Sequence, residues 1–485
     1  MYYVGKEGDG VALLKRKDIN MLEGPLFSRM LVFAIPLMLT NFLQTFYNAA
    51  DMIVVGLSSE ADAVGAIGTT SAFTALIVNL LIGIAVGANV VVARHIGEGD
   101  EEKTSRAVHT AAIVGLCIGL VGGLIGYMVT PSVMYAIGNR GHLLELSIRY
   151  ARVYFCALPF HALSNFAMAI HRAKGDTQTP LRVLSCTGLL NVGLNLFFVL
   201  ALDMSVEGVA IATGTAAAVS AIVLFGNLMR ERGACRFSFK KLKLAPTEAK
   251  KIIMVGLPAG VQSSLFAISN IIIQSSVVQV NNMLCDPGAA YQPVVKGNAA
   301  AANIAAFGNT ALSAAGHAVV SFTSQNVGAK NYDRVKRVAA RGLLLLSLVG
   351  VVASLVLLPL RDVLLSLYGV VDGTDELSQL AYSAAVIRAW YLWPFYILHA
   401  FMACGSDILR GLGRSVLATV SSLVGSCLLR IVWIYTAFRA FPSLGMIYVS
   451  YPVTWAITAA VLCVFVFREF RRFPRDKATP KIVQE

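Results

Sequence analysis

Residues 35–57 read IPLMLTNFLQTFYNAADMIVVGL. The run extends back to Leu31, and a bilayer crossing takes about 20 predominantly apolar residues. One acid, Asp51, lies well along it, among Thr40, Asn41, Gln44, Thr45, Tyr47 and Asn48. A carboxylate at that depth costs on the order of 3 kcal/mol on the mildest insertion scale. The cost falls if the acid takes up a proton or holds a cation, and either makes Asp51 the leading coupling residue for transport. The competing reading is a structural acid satisfied by neighbouring hydroxyls and amides. Pro36 removes one helical hydrogen bond and gives the same segment a place to bend.

Outward from this segment the composition is uniform. With 56% hydrophobic and 14% charged residues over 485 positions, the chain has too little polar surface for a soluble protein. Twelve spans are expected, at 31–56, 64–92, 107–130, 150–171, 182–202, 207–229, 252–280, 299–323, 338–360, 381–409, 415–438 and 445–467. The runs are continuous and far longer than a barrel strand, so an all-α polytopic membrane protein is expected. The residues before the first span contain no apolar signal-peptide core, so that span is expected to double as an uncleaved targeting signal. Cys117, Cys156, Cys186, Cys404, Cys427 and Cys463 fall in apolar spans, with Cys235 and Cys285 outside them. No CxxC or Cys/His ligand spacing occurs, so neither a disulfide nor a metal cluster is expected.

The net charge of +13 would suit a nucleic-acid partner, but its distribution argues against one. With the N-terminus inside, 32 of the 40 Lys/Arg fall in inner segments and seven in outer ones. This asymmetry is the positive-inside rule; it implies cytoplasmic termini, a multi-pass protein of the plasma (inner) membrane, and attraction to anionic inner-leaflet lipids. The fortieth, Arg430, falls inside the eleventh span and would need a partner, a hydrated cavity or a route to the interface.

The chain repeats itself. Pro36 and Pro258 are 222 residues apart, Gly97 and Gly328 231, Arg172 and Arg410 238, and His161 and His399 also 238. Landmarks in one order with slowly growing offsets imply two six-helix halves, related by an axis along the membrane normal and enclosing a central cleft. The expected organisation is a cytoplasmic N-terminal segment (1–30), an N-lobe (31–229), a basic linker (230–251), a C-lobe (252–467) and a cytoplasmic tail (468–485).

The stretch 35–57, ARHIGEGD at 93–100, HRAKGDTQTP at 171–180 and LRGLGRS at 409–415 together resemble the multidrug and toxic compound extrusion (MATE) family. The resemblance runs from about Gly24 to Phe467. It implies a cation site in the N-lobe built from an acid on the first span, two polar residues one turn apart on the fifth and a Thr on the sixth. The matching residues here are Asp51, Asn191 and Asn195 (in LLNVGLNLFF) and Thr213 (in GVAIATG). Where the family carries a second acid, this chain has Asn195, so the site would hold one negative charge. The ligand types alone suit either ion: a carboxylate, two amides and a hydroxyl are hard oxygen donors for Na⁺, and removing a carboxylate from water favours its protonated form. For the two asparagines interhelical hydrogen bonding is the alternative, and for Thr213 simple packing.

In the C-lobe the positions at which one branch of the family has acids correspond to Phe266 and His399, and Asp407 sits near the end of its span. Coupling is therefore expected through the N-lobe alone. His161 and His399 could titrate near neutrality, or stay neutral between helices. Phe42, Gln44, Tyr47 and Asn48 beside Asp51 are candidate walls of a substrate cavity, with Phe46 as a neighbouring aromatic. The aromatics Trp390, Tyr391, Trp393, Phe395 and Tyr396 read as an interfacial belt. The loop 281–298 is either a lid over the cleft or passive.

The functional expectation is an antiporter, coupled to H⁺ or Na⁺, that exports amphipathic, often cationic compounds by alternating access with Pro36 as gate. Its partners would be a small molecule and membrane lipids, with no nucleic acid and no cofactor beyond the coupling ion, and the unit would be a monomer. A lipid-linked oligosaccharide flippase of the same architecture is the alternative; it would need several cavity arginines or lysines, and only Arg430 is available. No HExxH, GxSxG or phosphate loop supports an enzyme.

Overall fold

The computed structural model describes residues 18–58, 60, 62–285 and 291–474, and the described secondary structure is helical throughout. In chain order the first half holds α1 (Leu26–Val55), α2 (Ala63–Glu98), α3 (Glu101–Ile137), α4 (Gly141–Cys156), α5 (Leu158–Lys174), α6 (Gln178–Leu196) and α7 (Val206–Met229). The second holds α8 (Pro246–Leu284), α9 (Pro293–Gly328), α10 (Tyr332–Leu357), the short α11 (Arg361–Ser366), α12 (Glu376–Leu392), α13 (Tyr396–Gly411), α14 (Ser415–Ser422), α15 (Leu429–Trp433) and α16 (Leu444–Arg471).

Among the described residues ten helical segments are long and apolar enough to cross a membrane. The pair α4 and α5, bent by 47° at Ala157, makes an eleventh. In the remaining one, α9, the length is there but the apolarity is not. Its 36 residues include Asn298, Ser321, Thr323, Ser324, Gln325 and Asn326, all buried. This helix is packed by α1, α2, α10, α12 and α13, so its side chains meet protein rather than lipid and polar pairing replaces hydrophobicity. Irregular turns break other spans: a π turn at Phe197–Ala201 continues α6, a 3₁₀ turn at Trp393–Phe395 joins α12 to α13, and π turns flank α15. The loop expected at 281–298 is short, because α8 runs to Leu284 and α9 begins at Pro293; its residues 286–290 lie outside those described, as do 1–17 of the N-terminal segment and 475–485 of the tail.

The halves meet where α2 crosses α8. Gly83-x-x-x-Gly87 faces Gly256-x-x-x-Gly260, and a Cβ on Gly83 would lie 2.2 Å from the Gly260 Cα, one on Gly87 2.7 Å from the Gly256 nitrogen. Only glycine permits backbones to approach this closely. Hydrogen bonds between the halves lie on both sides of this level, most of them toward the end that carries the linker. Ser264 Oγ donates to the Leu76 carbonyl (3.2 Å), Asn89 Nδ2 to Ser321 Oγ (3.1 Å), Gln325 Nε2 to the Ala173 carbonyl (2.7 Å) and an Arg94 guanidinium nitrogen to the Gly411 carbonyl (3.4 Å).

Two features complete that end. Residues 18–24 form a strap across it: the Ile19 amide donates to the Gly175 carbonyl (3.2 Å) in the first half, while Asn326 Nδ2 donates to the Met21 carbonyl (3.1 Å) in the second. Arg334 donates to the Met21, Glu23 and Gly24 carbonyls, and Arg29 to those of Asn20 and Glu23. The second feature is a charge cluster in the loop after α5, where Lys174 pairs with Asp18, Asp176 and Glu231 and His171 Nδ1 lies 3.1 Å from Asp176 Oδ2. Burial pushes the Asp176 carboxyl up, but His171 and the Thr179 hydrogen bonds outweigh it and hold the acid well below its usual range.

The first helix is divided between two cores. Leu26, Met30, Phe33, Ala34 and Leu37 pack into the large core of the second half, against residues such as Ala318, Phe322 and Val338. Val54 and Val55 pack instead with Tyr150, Val206 and Val209 of the first half. Pro36 stands at the edge of the first of these cores.

Candidate functional site

The Asp51 carboxylate sits on the far side of Pro36, in the part of α1 that belongs to the first half. Asn195 Nδ2 donates to Asp51 Oδ1 (2.5 Å) and Thr213 Oγ1 to Asp51 Oδ2 (3.3 Å). Asn191 Nδ2 donates to Thr213 Oγ1 (3.3 Å), and Asn195 Nδ2 lies 3.5 Å from Asn191 Oδ1. The four residues named from the sequence thus form one connected cluster. The one-turn spacing of Asn191 and Asn195 puts both on the face of α6 toward α1 and α7. Asn195 is 0% and Asn191 5% exposed.

Every partner of Asp51 is neutral, and among the described residues no Lys, Arg or His forms an ion pair with it. An ionised carboxylate removed from water without a counter-charge is costly. Three other oxygens surround it: Asn191 Oδ1, Thr213 Oγ1 and Asn195 Oδ1, the last buried with no hydrogen-bond partner. An oxygen-lined, singly acidic cluster with one oxygen unsatisfied fits a proton on Asp51 or a monovalent cation held by Asp51, Asn191, Asn195 and Thr213.

The remaining sequence candidates scatter. Tyr47 is half-buried and anchored: its hydroxyl donates to the Ser185 carbonyl (3.2 Å) and its ring fills the space a Cβ on Gly188 would need. Phe42 and Phe46 face Phe307 of the second half, with ring centroids 6.2 and 5.9 Å apart. Gln44 and Asn48 are exposed. Polar groups exposed inside a span call for water or a polar partner. His161 stacks on Tyr154 at 5.2 Å and His399 on Trp455 at 4.9 Å. Arg430 does not reach the interface. It is 3% exposed, donates to Thr454 Oγ1 (3.1 Å) and lies 3.9 Å over the Tyr451 ring, a cation–π contact. The aromatic belt is split, since Trp393 and Tyr396 are buried while Trp390, Tyr391 and Phe395 are exposed.

The second half holds a second polar cluster. Asp407 is near the end of its span but is buried, and it lines a cavity of ≈ 210 Å³ together with Gln262, His317, His399 and Arg410. An Arg410 guanidinium nitrogen donates to Asp407 Oδ1 (3.1 Å) and another to Gln262 Oε1 (3.0 Å). The lack of a side chain at Gly316 makes the room, because a Cβ there would lie 2.1 Å from Asp407 Oδ2. The second half therefore holds a buried acid paired with an arginine. Sequence reasoning passed over His317 altogether. Its signal was a lone histidine after glycine in an unusually polar span, and that of the ion pair was the i, i+3 spacing of Asp407 and Arg410.

Comparison with known proteins places this geometry. The sequence profile of the MatE family matches residues 36–197 and 290–436. The "Probable multidrug resistance protein YoeA" of Bacillus subtilis is 25% identical over 450 residues, covering 91% of this chain and 93% of that protein. The "Multidrug export protein MepA" of Staphylococcus aureus is 22% identical over 260 residues, 54% of this chain and 58% of that protein. A solved multidrug resistance MATE family transporter of the MOP superfamily, in its outward-facing conformation, has the same fold, with a TM-score of 0.84 at 19% identity over 95% of this chain and 99% of that one. With the family profile matching well over half of its length, the chain belongs to the MatE family of membrane transporters.

Proposed function

We propose that the protein is an antiporter that exports amphipathic, often cationic organic compounds in exchange for H⁺ or Na⁺ entering at Asp51. The observation that carries this reading is a half-buried carboxylate held only by neutral donors, with a spare buried oxygen beside it. Such a group stays empty only at a cost, and a mobile cation removes that cost. The relatives' names, a multidrug resistance protein and a multidrug export protein, support the substrate class. The protein performs transport and no covalent chemistry.

The coupling follows from the division of α1. Charging or neutralising Asp51 changes what the far part of the helix holds from Asn195 and Thr213, while the near part stays packed in the second half. Pro36 stands between them and can bend at little cost. A cation with different affinity for the straight and bent states would shift their populations, which is the requirement for a ligand-driven change. With the termini cytoplasmic in the plasma membrane, as the Lys/Arg asymmetry supports, the halves are closed together on the cytoplasmic side here. The working unit is the single chain. The flippase alternative loses support because Arg430 is taken up by Thr454 and Tyr451.

The test is transport of a fluorescent lipophilic cation in proteoliposomes under H⁺ and Na⁺ gradients imposed in turn. Antiport predicts uphill movement driven by one or both gradients. Equal movement with and without any gradient would overturn it.

A further inference from the structure

Where the strap meets α10, a cavity of ≈ 390 Å³ opens between Gly24, Pro25 and Leu26 on one side and Arg334, Arg337 and Arg341 on the other. The three arginines recur at i, i+3 and i+7, so one face of α10 carries all of them. Arg334 is 6% exposed and spends its donors on strap carbonyls. Arg337 and Arg341 are exposed and have no hydrogen-bond or ion-pair partner among the described residues. The neighbouring acids are engaged elsewhere: Asp333 pairs with Lys336 at 3.2 Å, and Glu23 accepts from Asn20 Nδ2 at 3.3 Å. The cavity is thus a pocket of uncompensated guanidinium charge with two forks free.

Its depth says what could fill it. Arg341 is the last basic residue before the apolar run that completes α10, and Arg29 is the last before that of α1. Just past that level Leu344 and Leu348 on α10, and Val32 and Ile35 on α1, are large, apolar and exposed. Basic groups at the rim of an exposed apolar wall match a ligand with an anionic head and hydrocarbon tails. Guanidinium forks bind phosphate oxygens two at a time.

We propose that this cavity is a binding site for the phosphate of an anionic phospholipid headgroup, in the leaflet at the linker end. The bound phosphate neutralises Arg337 and Arg341 and sits against Arg334, the side chain that holds the strap to the second half. The lipid then becomes part of the closure that ties 18–24 across both halves. The proposal does not depend on which ion drives transport.

The experiment uses the full chain in nanodiscs of mixed phosphatidylglycerol and phosphatidylcholine, stripped with detergent, with retained lipids counted by native mass spectrometry. Wild type should retain phosphatidylglycerol in preference to phosphatidylcholine. The double variant R337Q/R341Q changes two exposed, unpaired side chains and should lower that preference by about tenfold or more, the worth of two basic groups at a membrane surface. The control R232Q/R236Q removes two charges from the linker and should leave the preference in place. Equal retention by R337Q/R341Q and wild type would overturn the proposal, as would an equal loss in the linker control, which would mean general surface charge. Displacement of the lipid by glycerol phosphate or inorganic phosphate at matching concentration would show a soluble-phosphate site, and would overturn the commitment to a lipid.

Discussion

Two carboxylates, one in each half, are satisfied in opposite ways. Asp51 is surrounded by two asparagines and a threonine, and Asp407 is paired with Arg410 at 3.1 Å. A buried ion pair carries its own counter-charge and needs nothing from solution. A half-buried carboxylate with only neutral donors keeps a net charge, which on the proposed function is neutralised by a mobile cation. On the proposed function the same residue type is thus structural in one half and exchangeable in the other, and the difference lies in one neighbour. Alternating access needs only one such exchangeable site, provided the helix carrying it also touches the other half, which α1 does.

The sharpest way to break this contrast is to neutralise each acid in turn. Asp51→Asn should abolish gradient-driven accumulation in proteoliposomes, whereas Asp407→Asn should keep at least a substantial part of it. Comparable losses would mean that both halves couple. Next in size is the stability of the C-half pair. Arg410→Gln leaves Asp407 uncompensated and should cost about 3–5 kcal/mol of stability, and Asp407→Asn added to it should restore most of that. Unfolding midpoints of the two variants in detergent decide the point; a double variant no more stable than the single would remove the pair from the account.

Within the Asp51 cluster, Asn195→Ala removes a hydrogen bond to a charged group, worth about 1.5–3 kcal/mol. If the driving ion is Na⁺, the loss of the Asn195 amide oxygen as well should weaken its binding by roughly ten- to a hundredfold; if it is H⁺, loss of a donor to the ionised acid should instead tighten its binding, and isothermal titration with each ion tells the two apart. Asn191→Ala should cut transport severely as well, since it removes both the donor to Thr213 and a nearby amide oxygen. His399→Gln, in the other cavity, should slow transport only modestly, and a loss matching that of Asn191→Ala would move the coupling into the C-half.

The smallest effect concerns the closed end. Asp176 has a depressed folded-state value, so its contribution is complete above the unfolded carboxylate range near pH 4 and declines as the pH falls further. Between about pH 4 and pH 2 the wild-type melting midpoint should drop more steeply than that of Asp176→Asn. Parallel curves would show that the Lys174 and His171 contacts contribute nothing to the fold.

The order of the spans, their helical nature and the internal repeat could be read from sequence because each is written in local hydropathy or in landmark spacing. Asn191 and Asn195 were readable for the same reason, since one helical turn brings them together whatever else the fold does. The Asp407 cavity was not. His317 and Arg410 lie 93 residues apart in sequence, and periodicity reports which face of a helix is buried without naming the neighbour. Gly316 could be read as a small residue but not as the space for a carboxylate. The division of α1 was equally hidden, because an apolar helix looks alike whether one core or two receives it. The polarity of α9 did show in its composition, yet its cause, a helix packed by five others, is a property of the assembled bundle.

The glycine crossing of α2 and α8 has a mechanical consequence. If the halves rock after the glycine contacts of Gly97 with Gln325 and of Gly328 with Arg94 part at the linker end, this crossing, where two backbones touch without side chains between them, is a fulcrum. Gly83 stands 20 residues from the start of α2 and 15 from its end at Glu98, arms of about 30 Å and 22 Å at 1.5 Å per residue. A lever with those arms moves its outer tip about a third farther than its inner one for the same rotation. A small release among the strap, Arg94 and Gln325 would thus be magnified at the opposite mouth. A methyl group at Gly83 or Gly87 would act as a wedge under the pivot, stiffening the rocking without touching either acid.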